Sequence, residues 1–310
     1  LHKAIRRQRQ MCIRDRKNNL NRQKYITKIC YRPFDEKWTY LHSDLVQRPR
    51  PLIQSSILGK KNLTLCIGKQ GTAIGNNEWS LVWISSLPTD MNVNPRGGAY
   101  LFPQFVYEEG YANPTFNFAY DIIEKFEEKI GLKLQSEDSE SRENGGFLGR
   151  DVIDYIYAVL HSSKYRSKYH QFLQNDFPVI PYPNDAEYFF KISELASQLR
   201  SLHLLENISL SDFITQYPVS EGSNLVTTRR YEAIDSDNGR VWINDTRYFD
   251  NVPLTAWKLF VSGYQSLDKW LKDRIGLTLS GDDIRHFQMM VVALTKTAEI
   301  KSQIDECISV

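Results

Sequence analysis

Few residues of this chain have the type and spacing that a catalytic or metal-binding centre requires. The six histidines are dispersed along the sequence, and the four cysteines include no CxxC pair. The sequence therefore predicts neither a zinc site nor a disulfide framework, and scattered cysteines are typical of proteins from a reducing, cytoplasmic compartment. Asp282 and Asp283 are adjacent carboxylates, but they follow Ser280, so we interpret them as the capped start of a helix.

The short motifs of nucleotide-binding and hydrolytic sites are also missing. The chain has no GxxxxGKS/T phosphate loop, no GxGxxG after a strand, no GxSxG and no HExxH. Two Asn-Pro pairs begin like the Asn-Pro-Pro-Tyr loop of amino-methyltransferases, but neither continues with the second proline. His161 follows an apolar helix, where a contact with the terminal carbonyls is the favoured interpretation. His203 and His286 fall in predicted helices, where packing is favoured. No catalytic residue and no metal ligand is assigned, and whether the chain is an enzyme is left open.

The formal net charge of +2 conceals an uneven distribution, because residues 1–34 contain eleven Lys and Arg and a single acid. Residues 11–16 read Met-Cys-Ile-Arg-Asp-Arg, which resembles a translated transposon end from a sequencing library. We therefore predict that residues 1–16 are foreign, with Ile5 and Ile13 outside the main core, and we exclude them from the fold. Without them the net charge is −3, so a basic arm is not an argument for function.

Short apolar segments rich in β-forming residues indicate two β sections. The first contains residues 62–67, 79–85 and 97–107, and Pro103 predicts a bend in the last of these. The second spans residues 225–249, where Asp237-Asn238-Gly239 predicts a hairpin turn. No apolar run approaches the roughly 18 residues of a membrane span, so we expect no membrane segment.

Helices are indicated by apolar residues at helical spacing. Phe118, Ile122, Phe126 and Ile130 recur every four residues before Gly131, a typical helix end. Further helices are predicted around Val152 to Val159, from Pro183 to Leu202, and from Ser280 onward, where Ile284, Phe287, Val291 and Leu294 face inward. The order of strands, helices, strands and helices predicts an α+β fold, with mixed β sections, flanking helices and a long C-terminal helix.

The polar segment 134–146 is the best candidate for a linker, since it is charged and ends in two glycines. It predicts a first part, residues 17–133, that is β-rich with one helix. The second part, residues 147–310, is predicted to hold the helical section, the second β section and the C-terminal helices.

Three stretches resemble a known family. They are Tyr31 to Tyr40, which begins YRPFD; Tyr155 to Pro183; and Gly239 to Asp283, which carries GRVWIN, YFDNVP, GYQSLDKWLKDR and LSGDDI. Together they resemble the C-terminal target-recognition, or specificity, domain of type ISP restriction–modification enzymes. In these enzymes one polypeptide joins a nuclease, a helicase-like ATPase and an N6-adenine methyltransferase to that domain. The resemblance covers about Lys17 to Asp305.

The resemblance implies a fragment that recognises double-stranded DNA and positions upstream methyltransferase, helicase and nuclease domains. No cofactor is then expected in this chain, because S-adenosylmethionine, ATP and Mg²⁺ would bind upstream; we expect no methyl transfer by the chain alone. Lys37 and Val179 stand where the family often has Arg. Since Lys cannot make the forked contact of Arg, no base contact is carried over to either position.

Recognition of DNA requires phosphate contacts from Lys and Arg and base-edge contacts from Arg, Asn or Gln. Basic residues in loops beside the predicted strands are the candidates, although a solvated surface charge is the competing interpretation at each. These candidates are Arg48, Arg50, Lys60, Lys61, Lys69, Arg96, Arg229, Arg230 and Arg240. If they serve one duplex, the loops of both β sections should converge on one face, with the final helix behind them.

Two other basic and aromatic groupings have simpler interpretations. Lys164, Arg166 and Lys168 alternate with tyrosines, which we interpret as amphipathic packing with Tyr inward and the basic residues outward. Trp270 lies between two lysines, and we interpret it as a core residue.

Two alternatives to DNA recognition are kept. The chain could be a structural segment that docks the domains of such an enzyme, or an unrelated stand-alone hydrolase whose site is not visible in the sequence. An Asn-Pro-Pro-Tyr motif in the preceding reading frame would exclude the hydrolase. A salt-sensitive, sequence-selective DNA interaction would separate recognition from docking.

Overall fold

The protein was analysed as a computed structural model. It describes residues 25–41, 50–69, 75, 77–108, 113–136, 142, 145–218 and 221–309. The segment 1–16, with Ile5 and Ile13, and the candidate Arg48 lie outside the described residues. Helices and antiparallel sheets alternate along the chain and a long helix ends it, which confirms the α+β prediction.

The first β section is a hairpin followed by a three-stranded antiparallel sheet with the order β4-β3-β5. Its elements are β1 (Ile26–Arg32), β2 (Asp35–Tyr40), α1 (Pro51–Ile57), β3 (Thr64–Gly68), β4 (Val82–Ser85), β5 (Ala99–Pro103), β6 (Phe105–Val106) and β7 (Thr115–Phe116). All residues of β3 and β4 are buried, as their unbroken apolar sequences require. The predicted bend after Pro103 is confirmed, because Gln104 separates β5 from β6.

The helical section follows. It consists of α2 (Tyr120–Ile130), α3 (Gly149–His161), α4 (Ser163–Lys168), α5 (His170–Leu173) and α6 (Ala186–His203). Gly131 ends α2 in the left-handed conformation, with φ of 69°, as predicted. The predicted inner stripe of α2 is wrong at Ile122, which is exposed, because four-residue steps overshoot the 3.6-residue turn; the buried residues are Ile123, Phe126 and Ile130.

The second β section is a three-stranded antiparallel sheet with the order β10-β9-β8 and a small additional hairpin. Its elements are β8 (Arg230–Ala233), β9 (Asn238–Trp242), β10 (Tyr248–Pro253), α7 (Leu254–Lys258), β11 (Phe260–Val261), β12 (Tyr264–Gln265), α8 (Ser266–Lys272) and α9 (Gly281–Cys307). The hairpin predicted at Asp237-Asn238-Gly239 is confirmed, and its turn lies slightly earlier, between Ala233 and Asn238. Ser280 and Asp283 form the predicted capping box of α9.

Helices α3, α6 and α9 form the centre of the core. The first sheet packs on them through Trp83, which stacks on His203 of α6 at 5.2 Å. The second sheet packs on them through Phe249, whose ring centroid lies 4.2 Å from that of Phe287 on α9. Both β sections therefore share one hydrophobic cluster with the helices.

The described ends of segment 134–146 are fastened to each other. The backbone N–H of Gln135 donates to the Phe147 carbonyl at 2.8 Å, and the N–H of Phe147 donates to the Lys133 carbonyl at 3.1 Å. Arg142 also makes a bidentate contact with Asp151, at 2.9 and 3.1 Å. Buried residues on both sides of the segment belong to the same core cluster. These hydrogen bonds fasten the described ends of the segment to that core.

Candidate nucleic-acid interface

Residues from two of the stretches that carry the family resemblance meet at Arg274. Its Nη2 donates to Oδ1 of Asp35 at 2.9 Å, and its Nε lies 3.7 Å from Oδ1 of Asp283. The indole ring of Trp270 lies beneath the guanidinium, with 3.4 Å between the ring centroid and Cζ. Asp35 is 3% exposed, so its carboxylate is compensated by Arg274 inside the protein and not by water.

The turn that carries Asp35 is fixed by a second contact. His286 on α9 forms a 2.6 Å hydrogen bond through Nε2 to the Phe34 carbonyl oxygen, so this nitrogen donates. Phe34 has a φ of 61°, a conformation that costs energy for a non-glycine residue and that the surrounding contacts hold. Hairpin β1–β2 is thereby attached to α8 and α9.

A cavity of about 480 Å³ lies beside this junction, between β4, the end of α6 and the start of α9. Its wall carries charges of both signs, from the cations Lys28, Arg32 and Arg274 and from the acids Asp35, Glu36, Asp282 and Asp283. Within the described part of the chain, no group of three His, Cys, Asp or Glu side chains is placed to hold a metal ion. In the same residues, no helix is long and apolar enough to cross a membrane.

The candidate residues of the first sheet lie at opposite ends of β3. Lys60 and Lys61 precede the strand and are exposed, and Lys60 lies over the Tyr107 ring at 4.8 Å. Lys69 follows the strand, and Arg96 lies near it because β5 begins opposite Gly68. The strand between the two pairs is itself about 14 Å long, at about 3.4 Å per residue. Arg50 is exposed at the start of α1.

The edge with Lys69 also carries aromatic side chains. Lys69 Nζ lies 3.5 Å from Asp176 Oδ1 and 5.5 Å from the centre of the Phe177 ring. Tyr100, which is half exposed, packs edge-on against Phe177 with 4.8 Å between centroids. A cation and exposed aromatic rings side by side are typical of surfaces that bind nucleic acid.

Arg96 is exposed and has a φ of 61°, between Pro95 and Gly97. Two residues earlier, Asn94 accepts a hydrogen bond from the Ser262 hydroxyl in the turn between β11 and β12. Tyr264 of β12 donates to the Asn92 carbonyl at 2.8 Å. The Arg96 edge of the first sheet therefore adjoins the second β section.

Arg229 is held in the same region. It forms an ion pair with Asp268 of α8, the helix that directly follows β12. The structure thus brings Lys69, Arg96 and Arg229 onto connected elements, whereas Lys60 and Lys61 lie at the far edge of the first sheet.

Arg230 and Arg240 lie on the solvent face of the second sheet. Between β8 and β9, Arg230 pairs with Trp242 and Glu232 pairs with Arg240. Between β9 and β10, Trp242 pairs with Tyr248. The Arg230 guanidinium lies over the Trp242 ring at 5.5 Å, and Trp242 Nε1 donates to Glu232. The opposite face of this sheet packs into the core through Val241 and Phe249.

Arg240 is the best-ordered cation of this face. Its Nε donates to Asp250 Oδ1 at 3.0 Å, and its guanidinium lies 4.8 Å from the Tyr248 ring centre. The hydrogen bond to Asp250 raises the pKa of Arg240. The side chain is 36% exposed, so it is oriented by the protein and still reaches solvent.

Sequence reasoning missed an ionic cluster in which a buried arginine and a largely buried lysine share one exposed carboxylate. Arg166 was expected to face solvent, but it is buried and pairs with Glu78 at 3.1 Å, and Lys301 lies 3.7 Å from the same carboxylate. Burial lowers the pKa of Lys301 to about 8. The neighbouring Tyr165 is buried as predicted. Arg166 was misplaced because Glu78, its partner, is remote in sequence and gives no local signal.

The histidines have the packing roles that were predicted. Tyr157 donates to His203 Nδ1 at 2.6 Å, and His203 Nε2 then donates to the Thr297 hydroxyl at 3.1 Å. His161 Nδ1 donates to the Tyr157 carbonyl at 2.9 Å. Burial lowers the pKa of His203 to about 3 and that of His161 well below its usual range, so both rings are neutral.

The family model of the type ISP C-terminal specificity domain matches residues 2–303. The chain belongs to this family. The match includes residues 2–16, part of the segment that the sequence predicts to be foreign and that lies outside the described residues. A comparison with curated proteins gives no match.

Three solved structures have the same fold as this specificity domain. The type ISP enzyme LlaBIII bound to DNA gives a TM-score of 0.67 at 17% identity, covering 90% of this chain and 18% of that chain. A nuclease-deletion mutant of LlaGI with a DNA substrate mimic gives 0.63 at 21%, covering 91% and 25%. The cryo-electron microscopy structure of a DrdV–DNA complex gives 0.69 at 17%, covering 92% and 28%. The matched region thus spans 18% to 28% of these longer chains.

Proposed function

We propose that this specificity domain recognises a DNA target sequence and positions an upstream N6-adenine methyltransferase, with helicase and nuclease domains, on that target. The observation that carries the proposal is that the three structural neighbours named above were solved with DNA or a DNA substrate mimic, and each match covers at least 90% of this chain. The competing proposal is a segment that only docks domains together.

The charge distribution supports a defined DNA surface. Lys69, Arg96 and Arg229 lie on elements that the Asn94–Ser262 and Tyr264–Asn92 contacts hold together. Contacts between basic side chains such as these and DNA phosphates set the register of a protein on a duplex, while oriented Arg side chains read bases. The long helix α9 belongs to the core, with Phe287, Val291 and Leu294 fully buried, and is proposed to support this surface from behind.

Without residues 1–16 the chain has a net charge of −3, which does not oppose DNA binding. In a multidomain enzyme the nonspecific electrostatic attraction comes from the whole polypeptide, so a specificity domain needs only local positive charge. S-adenosylmethionine, ATP and Mg²⁺ are proposed to bind the upstream domains, and the whole enzyme is proposed to act in the cytoplasm.

Selection from a random duplex library tests this function. The full chain is incubated with the library and excess competitor DNA at near-physiological salt, and bound duplexes are sequenced over several rounds. Recognition predicts enrichment of one asymmetric motif. Binding without enrichment, or no binding at all, favours the docking alternative.

A methyl-transfer assay tests whether methyl transfer belongs to the upstream domains and not to this chain. The chain alone, with labelled S-adenosylmethionine and the enriched duplex, should incorporate no label above background. Label in the DNA would show that the chain itself holds a cofactor site, and would overturn the assignment of that chemistry to upstream domains.

A further inference from the structure

We infer that Arg240 reads a guanine in the major groove and that Asp250 and Tyr248 hold its guanidinium in the reading orientation. This inference rests on the proposed function, because it assigns a base to one residue of that surface. It would make Arg240 a specificity-determining residue and Asp250 a positioning residue.

The hydrogen bond to Asp250 uses one side of the guanidinium only. Nε donates to the carboxylate at 3.0 Å, and among the described residues the two terminal amino groups meet no hydrogen-bond acceptor. Two parallel N–H donors are what the O6 and N7 acceptors of guanine require, and this fork is the most common specific contact between proteins and DNA.

The backbone around Arg240 holds this geometry. A bulge between Phe249 and Val252 gives β10 an irregular register, and Asn251 within it has a φ of 54°. Bulges redirect side chains, and here Asp250 points at Arg240 on the neighbouring strand. Beside Arg240, Gly239 admits no side chain, because a Cβ would lie 2.6 Å from the Tyr231 ring.

Charge balance favours base reading over a phosphate contact on this face. Arg240 faces Asp250, and Arg230 lies 3.8 Å from Glu232, so the two cations of the face are matched by two anions. A face without net charge contributes little attraction for phosphates, which depends on released counterions. The two hydrogen bonds from a guanidinium to a guanine depend on orientation, so a face without net charge does not weaken them.

Arg240 fits this role better than the two other candidate arginines of the second β section. Arg229 uses a terminal amino group, Nη1, to contact Asp268. Arg230 is 59% exposed and has a longer, 3.8 Å ion pair, so its guanidinium is less well fixed. Of these three candidates, Arg240 alone combines a short carboxylate hydrogen bond, an aromatic neighbour and solvent access.

Library selection with three variants of the full chain tests the inference. Arg240→Lys keeps the charge but removes the fork, and Asp250→Asn removes the anion that orients it. Arg285→Lys is the matched control, at an exposed position of α9. The wild type should enrich a motif with a G·C pair that is preferred by about 5- to 150-fold. Arg240→Lys should lose that preference at this position alone, Asp250→Asn should weaken it, and Arg285→Lys should leave the motif intact.

An unchanged motif and unchanged discrimination in Arg240→Lys would overturn the inference and leave the proposed function standing. Equal weakening of all sequences by Arg240→Lys would also overturn it, because that result indicates a nonspecific contact. A wild type that enriches no motif would overturn the inference together with the proposed function. Thermal melting of each variant shows that the fold is kept, and Asp250→Asn decides the question if Arg240→Lys does not fold.

Discussion

Arg274 and Asp35 are 239 positions apart in the sequence, and their side chains form two hydrogen bonds, of 2.9 and 3.4 Å. Asp35 lies at the start of β2, and Arg274 follows α8, so the contact joins the first hairpin to the C-terminal third of the chain. The Arg274–Asp35 pair therefore fixes the first hairpin against the C-terminal third of the chain.

Arg274→Ala should destabilise the domain by about 3–5 kcal/mol, because it leaves the Asp35 carboxylate buried without a partner. Arg285→Ala is the control, since Arg285 and Asp282 form an exposed pair whose loss changes little. Urea denaturation of both variants measures the free energy of unfolding. Equal stabilities of the two variants would contradict the role assigned to Arg274.

Acid should destabilise the domain through its neutral buried histidines. The folded pKa of His203 is about 3, below its unfolded value of 6.5, so between these values the unfolded chain binds the proton. Stability is then lost as pH falls below about 6.5, by up to about 1.4 kcal/mol per pH unit for each such histidine. The free energy of unfolding measured between pH 5.5 and 7.5 should rise with pH.

His203→Gln should reduce the slope of the unfolding free energy against pH by up to about 1.4 kcal/mol per pH unit, the contribution of one proton. This change is expected whatever the effect of the substitution on stability at neutral pH. His170→Gln, at an exposed position, should keep the wild-type slope. Identical slopes for wild type and His203→Gln would show that the buried ring does not control acid stability.

Gly239→Ala should destabilise the second sheet by about 1–3 kcal/mol, because its methyl group would lie 2.4 Å from the Glu232 carbonyl oxygen and 2.6 Å from the Tyr231 ring. Gly281→Ala is the matched control, since a Cβ there meets no atom within 4 Å. Thermal unfolding compares the two variants. Equal midpoints would indicate that Tyr231 moves aside without cost.

The double variant Lys69→Ala/Arg96→Ala should weaken binding to every DNA sequence similarly and reduce the dependence of affinity on salt by roughly one ion per lost contact. Lys60→Ala/Lys61→Ala removes the same charge at the far edge of β3 and should change affinity by less than about twofold. Affinities of the two double variants for DNA, measured over a series of salt concentrations, test this difference. A larger effect of the Lys60/Lys61 variant would place the duplex at the other edge.

Local features of this fold were predictable from the sequence. The Ser280–Asp283 capping box, the Gly131 helix end and the burial of Trp270 follow from residues within one or two turns of each other. The hairpin before Gly239 was also predictable, because its turn residues lie between two β-forming runs.

Long-range pairings were not predictable. Arg166 was assigned to the surface from its helical position, and only the fold brings Glu78 to it. The candidate site shows the same limit: the predicted strand 62–67 already separates Lys61 from Lys69, but only the pairing of β3 with β5 places Arg96 near Lys69. Asp250 gives no sequence signal as the partner of Arg240, because a bulge sets the register between their strands.

Sequence-selective DNA binding is the central claim, and two dissociation constants test it most directly. They are measured at one near-physiological salt concentration, for the library-selected duplex and for the same duplex with a single substituted base pair. Recognition predicts that the substitution weakens binding by about 5- to 150-fold, the cost of one lost base contact. Equal dissociation constants for the two duplexes would contradict the claim.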